Sequence, residues 1–331
     1  MAVLVTGATG FVGSWLVKRL IDQGEAVHVL HRKNSSLEDL NGLPVYSVIG
    51  DVTDAESVRR AIQDPQAEIR AVYHLAGVVG YSRAMRPLMD KVNVEGTRNV
   101  VQALSGRPRT RLVYMSSVVA VGASFDGTPL NELSPYNVSH LNLGYFETKH
   151  AAEVLVQKAC HSGELDAVIL NPSTIYGAAD AKKGSRRTQL KVAQGRFPFY
   201  TSGGVSVVSV HDVVQALLRA RDVGRSGERY ILSGENITIQ DLFNRIAGLA
   251  GVKPPRIYLP SLVVHTMGRF GDLLENFGRK GPVNTENAWT STLYHWFDHG
   301  KARQELDFQP RPAQEALAES VGWMKEQGFL G

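Results

Sequence analysis

Short apolar, β-branched runs recur along the first half of the chain and alternate with longer stretches of helical periodicity. AVLVT (from Ala2), AVHVL (from Ala26), PVYSVIG (from Pro44), AVYHLAG (from Ala71), RLVYMSS (from Arg111) and DAVILNP (from Asp166) are apolar enough to predict strands buried on both sheet faces. Parallel strands joined by crossover helices follow from that alternation, so the fold class is α/β, a doubly wound parallel sheet of the Rossmann type. The regularity ends after Asn171, where GAADAKKGSRRT intervenes and a smaller lobe begins. VSVVSVHDVVQALLRA followed by ERYILSG reads as strand, helix, strand and can return to the sheet. The predicted organisation is therefore a dinucleotide-binding domain over 1–171 plus about 205–235 and a discontinuous substrate-binding lobe over 172–204 plus about 236–331.

At 331 residues and 43% hydrophobic, the chain can bury a full core, which excludes disordered and fibrous classes. Its 36 Lys and Arg against 32 Asp and Glu are scattered rather than gathered into an arm, so nucleic acid is not an expected partner. The lone Cys160 forms no internal disulfide and has no neighbouring base, and a reducing interior suits it. No run reaches a membrane span and a strand pattern starts right after Met1, so a cytoplasmic protein with no membrane partner is expected, and the sequons at Asn34, Asn137 and Asn236 read as chance matches.

The strongest local motif is TGATGFVGS, in which Gly7, Gly10 and Gly13 let a strand turn sharply into a helix beginning near Phe11. Backbone approach at the glycines and the positive helix end suit a pyrophosphate, and Thr9, Phe11 and Val12 complete the predicted cradle. An acid at the end of the second strand would bind the ribose 2′-hydroxyl of NAD, but His31, Arg32 and Lys33 stand there and the next acid is Glu38. A guanidinium matches a 2′-phosphate, so NADP is the expected cofactor and NAD the lesser alternative. By strand-end position, Asp51 and Val52 flank the adenine, while Leu75, Ala76 and Gly77 line the pyrophosphate and nicotinamide ribose.

Ser116 and Ser117 end the fifth strand, and Tyr145 and Lys149 share one helical face. The spacing is weak alone; the place of that helix, before the sixth strand, puts its start on the ligand side of the sheet. A phenol titrates near pH 10, so a nearby cation such as Lys149 is needed for its phenolate, and Ser117 can hold a substrate oxygen beside it. Ser116 faces either cofactor or core.

These motifs together resemble the extended short-chain dehydrogenase/reductases, also called the NAD-dependent epimerase/dehydratase family, over nearly the whole chain. TGATGFVGS, HLAG, SSVVAVG, YFETK and NPSTIYG resemble its successive motifs, and VSVHDVVQA, GERYILSGENITIQDL and FDHGKARQELDFQPRP resemble its C-terminal lobe. The resemblance implies a catalytic triad of Ser117, Tyr145 and Lys149, with Asn171, Pro172 and Ser173 near the nicotinamide. Val118 and Val119 stand where the family's sugar dehydratases carry an Asp-Glu pair, and the turn lacks the epimerases' Arg-x-x-Asn. NPSTIYG and LHRKNS look closer to the dihydroflavonol reductase and cinnamoyl-CoA reductase branch, which implies an NADPH-dependent reductase of a ketone or aldehyde. The expected partner is thus a small molecule with a carbonyl or secondary alcohol. An epimerase with tightly bound NAD and a non-catalytic dinucleotide sensor are the rival readings, and homodimerisation is left open.

Three further features read as bland, and one as a candidate pocket wall. Lys182, Lys183, Arg186 and Arg187 form a solvated loop rather than an anion site, and His295 and His299 pack rather than bind metal, so no metal is expected. Asn93 braces backbone near the fourth-strand loop. Val78, Val79 and Tyr81 give a partly apolar pocket wall.

Overall fold

The computed structural model describes residues 2–64, 67–181, 186–277, 281 and 283–330. The strands are β1 (Ala2–Thr6), β2 (Ala26–His31), β3 (Val45–Ile49), β4 (Ile69–His74), β5 (Arg111–Met115) and β6 (Ala167–Pro172), then β7 (Thr174–Tyr176), β8 (Phe199–Tyr200), β9 (Gly204–Ser209), β10 (Arg229–Leu232), β11 (Glu235–Thr238), β12 (Ile257–Tyr258) and β13 (Tyr294–His295). Seven of them make a parallel sheet in the order β10-β6-β5-β4-β1-β2-β3. Connections leave β1 towards β2 on one side and arrive at β4 on the other, so the order reverses between β1 and β4 and opens a crevice at their carboxyl ends.

The two-residue period of the strands divides the core. Val3, Val5, Val27, Val29, Ala71 and Tyr73 point to one face, under α1 (Phe11–Asp22) and the helix Val210–Val223. Leu4, Leu30, Val72, Leu112, Tyr114 and Ile169 point to the other, under α2 (Ala55–Ile62), α4 (Gly96–Leu104) and α5 (Gly144–His161). A short α3 (Arg86–Met89) and one π-helical stretch (Asp90–Glu95) lead into α4.

Two strand expectations need correction. Expected to be buried on both faces, β3 is an edge strand with Tyr46 and Ile49 more than half exposed, because only β2 pairs with it. The VSVVSV run forms β9, which joins a smaller sheet with β7, β11 and β13 instead of the large one. The returning strand is β10, beside β6. Around the smaller sheet, Val207, Ile237, Leu242, Phe243, Leu317 and Val321 form a separate core with the helices Ile239–Ala250 and Ala313–Glu326.

Candidate functional site

The glycine turn is closed by steric necessity. Gly7 has φ +73°, and a Cβ there would lie 2.7 Å from the Ala76 nitrogen, so the turn rests on the backbone that ends β4. At Gly13 a Cβ would lie 2.1 Å from the Gly7 carbonyl oxygen, so only glycine lets α1 start this close to the turn. Gly10 is the N-cap and offers no side-chain cap, leaving the first-turn amides of Phe11, Val12 and Gly13 for an anion. Val12 itself is buried in the core, so its contribution at this turn is its backbone. This cradle fits a dinucleotide pyrophosphate.

Around the rest of the crevice the placements are mixed. His31 is buried with its Nε2 at 2.5 Å from Ser47 Oγ and its Nδ1 at 3.1 Å from the Arg32 carbonyl, so its ring is engaged by β3, while Arg32 is exposed. Asp51 accepts the Thr53 amide at 2.9 Å, and the Val52 carbonyl accepts Asn99 Nδ2 at 2.8 Å. Leu75 is in the core, Ala76 half-buried and Gly77 exposed. Buried Asn93 clasps Val78 through both backbone groups, at 2.8 and 2.9 Å, and donates to Thr148 Oγ1 at 3.2 Å. It therefore braces the loop after β4 against α5.

At the end of β5, Ser117 is extended, and the Ser116 side chain is buried. The α5 helix brings the Tyr145 phenol near the Ser117 side chain. One turn further on, Lys149 Nζ is buried and donates to the Met115 carbonyl at 2.9 Å, beneath Gly77. Burial pushes the Tyr145 phenol well above its ordinary value; neighbouring Tyr81 adds to this and Ser117 opposes it. Burial also lowers the Lys149 ammonium to about 8, with Glu153 opposing. In the protein alone, desolvation dominates at Tyr145.

Asn171 holds two places at once. Its Nδ2 donates to the Ser117 carbonyl at 3.0 Å and to Glu153 Oε2 at 2.6 Å, and Glu153 is paired with Arg229 on β10 at 3.3 Å. The Asn171 amide is therefore spent on the β5 end and α5, while its Oδ1 and the Ser173 hydroxyl are buried without a partner among the described residues. Pro172 closes β6 and is buried. Val118 and Val119 are buried and apolar.

Sequence reasoning missed Glu286 and Glu153. Buried Glu286, from the helix Thr285–Thr292 near the C-terminal end of the chain, accepts the Gly144 amide at 3.4 Å and so meets the first turn of α5 beside Tyr145. Burial raises its carboxyl above the usual range. Tyr81, whose carbonyl accepts Asn284 Nδ2, packs edge-to-face on Tyr145 with ring centroids 6.0 Å apart. Nothing local in the sequence signals Glu286, which is far from every motif; Glu153 could have been found as a charged position four residues after Lys149 on an otherwise buried face.

In the basic loop, Arg187 is exposed, but Arg186 is engaged: it lies over the Tyr176 ring at 4.1 Å, pairs with Asp180 at 3.6 Å and donates to the Ile175 carbonyl. Lys182 and Lys183 lie outside the described residues. His295 Nε2 meets the Thr290 carbonyl and His299 Nδ1 meets Ser233 Oγ, and no group of potential metal ligands occurs among the described residues.

The family model described as NAD dependent epimerase/dehydratase matches residues 3–233. The chain belongs to that family. A protein of Methylococcus capsulatus named sterol demethylase protein B is 33% identical over the full length of both chains. A putative dihydroflavonol 4-reductase of Synechocystis is 31% identical, covering 98% of this chain and 95% of that one. Among solved structures, the crystal structure of gox2253 superposes with a TM-score of 0.88 at 33% identity, over 100% of this chain and 99% of that one. As a member of the extended short-chain dehydrogenase/reductases, the chain has the fold of NAD(P)-dependent oxidoreductases, epimerases and dehydratases.

Proposed function

We propose that this protein is an NADPH-dependent reductase that converts a ketone or aldehyde to an alcohol. The observation that carries the reading is the placement of the Tyr145 phenol near the Ser117 side chain at the carboxyl end of the sheet, with the buried Lys149 ammonium one helical turn away on the Met115 carbonyl. A phenol keeps its proton at neutral pH and can donate it to a carbonyl oxygen as that oxygen gains charge. When bound, a nicotinamide dinucleotide supplies the hydride. Ser117 hydrogen-bonds the same oxygen and orients it towards Tyr145. Lys149 presents its ammonium towards Gly77, where it binds the ribose and favours the phenolate left after transfer. Gly7, Thr9, Gly10, Phe11, Val12 and Gly13 hold the pyrophosphate, and Asp51, Val52, Leu75, Ala76, Gly77, Ser116, Asn171, Pro172 and Ser173 line the remainder.

The NADPH preference rests on exposed Arg32 and the lack of an acid at the end of β2; His31 contributes less, its ring being bound to Ser47. Dehydration by an Asp-Glu pair is disfavoured by buried Val118 and Val119. The naming of the Synechocystis relative as a putative dihydroflavonol 4-reductase supports a carbonyl substrate. The test is a panel of carbonyl compounds and UDP- and GDP-sugars assayed with NADPH and NADH by absorbance. Consumption of NADPH by a carbonyl, in preference to NADH, is expected. Conversion of a nucleotide sugar without net cofactor consumption assigns an epimerase instead.

A further inference from the structure

The helix Ser261–Asn276 carries an exposed apolar face that no other described part of the chain covers. Leu262, Phe270, Leu273 and Phe277 are 79%, 59%, 51% and 75% exposed, and at the helical period they fall within an arc of about 100°. Half-exposed Ile257 and Tyr258 lead into this helix from the short strand β12. Other exposed apolar side chains, such as Leu133 or Phe329, are far from this cluster in sequence and form no such row.

The charges are divided in the same way. Between Asp241 and Asp272 the sequence carries Arg245, Lys253, Arg256 and Arg269 and no acid. Arg245 is neutralised by Glu235 and Asp241, but Lys253, Arg256 and Arg269 are exposed, and Arg269 borders the apolar arc beside Leu262. Asp272 is turned to the packed side, where it pairs with Arg83 at 3.3 Å and caps Thr285 at 3.0 Å. On that side Gly268 and Gly271 press the helix against residues 283–288.

We propose that this face docks on the surface of an anionic lipid bilayer, with the apolar row entering the headgroup boundary and the flanking cations meeting lipid phosphates. An exposed apolar arc rimmed by Lys and Arg on a short helix is the arrangement that lies in an interface rather than across it, and no helix among the described residues is long and apolar enough to cross. The exposed cations Lys253, Arg256 and Arg269, with no acid between Asp241 and Asp272, complement an anionic surface better than a second copy carrying the same cations. Through Arg83 and Asp272 the helix is joined to the segment after β4. The surface does not depend on which reaction the site performs.

The test is flotation of the full chain with vesicles of phosphatidylcholine alone and with about one-third phosphatidylglycerol, at low and high salt. Native protein is expected to float with the anionic vesicles and to be released by salt. Leu262→Ser with Phe270→Ser, and separately Arg269→Glu, are each expected to lower the bound fraction about tenfold while the melting temperature holds. Arg269→Glu keeps the test decisive should the double variant fold poorly. The proposal is overturned if native protein stays with the soluble fraction at low salt, or if both variants float as it does. It is overturned too if light scattering finds a native dimer that the double variant dissolves, which assigns the face to self-association.

Discussion

Tyr145 and Lys149 are each displaced by burial towards their neutral forms, and each displacement has a cost that can be measured. The folded chain holds the Lys149 proton at about 8 against an ordinary 10.5, so it binds that proton less tightly than the unfolded chain does. The stability linked to this site is full above the unfolded value and is lost as pH falls through about 8. At pH 7 the buried ammonium therefore destabilises the fold. Lys149→Met, which keeps the stem and drops the charge, is expected to gain on the order of 1–2 kcal/mol at pH 7, after loss of the hydrogen bond to Met115. Thermal melts from pH 6 to 10 check this: the advantage over native protein should shrink above pH 8, and the variant should have no turnover. Tyr145 has the opposite sense. Its phenol remains protonated across the whole range, so a loss of reduction at moderately alkaline pH is expected to track Lys149 rather than Tyr145.

At the scale of the element, the glycine turn and the strand-end crevice were legible because their requirements are local. TGATGFVGS encodes a positive φ at Gly7 and a contact at Gly13 that admits no Cβ, and both are found. Gly13→Ala cannot be accommodated without moving the Gly7 carbonyl; a fall of several degrees in melting temperature and about a tenfold loss of dinucleotide affinity are expected, read by calorimetry and fluorescence titration. What was not legible depends on partners distant in the chain. VSVVSV reads as a sheet strand wherever it pairs, and only β7, β11 and β13 decide that it joins the smaller sheet. PVYSVIG has the composition of a buried strand, yet with a single neighbour it is left open. Asn171 sits at the end of β6 as its motif implies, but its amide reaches Ser117 and Glu153, a direction that residue type and spacing do not encode.

Across the whole molecule, residues of the C-terminal part of the chain reach the candidate site. Asn284 and Asn287 hold the Tyr81 carbonyl, and Glu286 holds the start of α5, so the surroundings of Tyr145 depend on how these residues are held. Asn284→Ala frees the loop that carries Tyr81; about a tenfold rise in KM for the carbonyl substrate is expected, with kcat less affected, because Ser117, Tyr145 and Lys149 are positioned by the sheet and α5. Remoteness in the chain also explains why Asn284, Glu286 and Asn287 could not be read from the first half: none of them lies in a motif.

The central claim is tested most directly by following hydride and proton separately. Native protein and Tyr145→Phe would each be loaded with NADPH carrying deuterium at both C4 positions of the nicotinamide and mixed with a carbonyl substrate. The account predicts deuterium on the carbinol carbon of the native product. In the variant it predicts unchanged cofactor binding with turnover lowered about a hundredfold or more. An alcohol formed without deuterium, or transfer by Tyr145→Phe at the native rate, would contradict it.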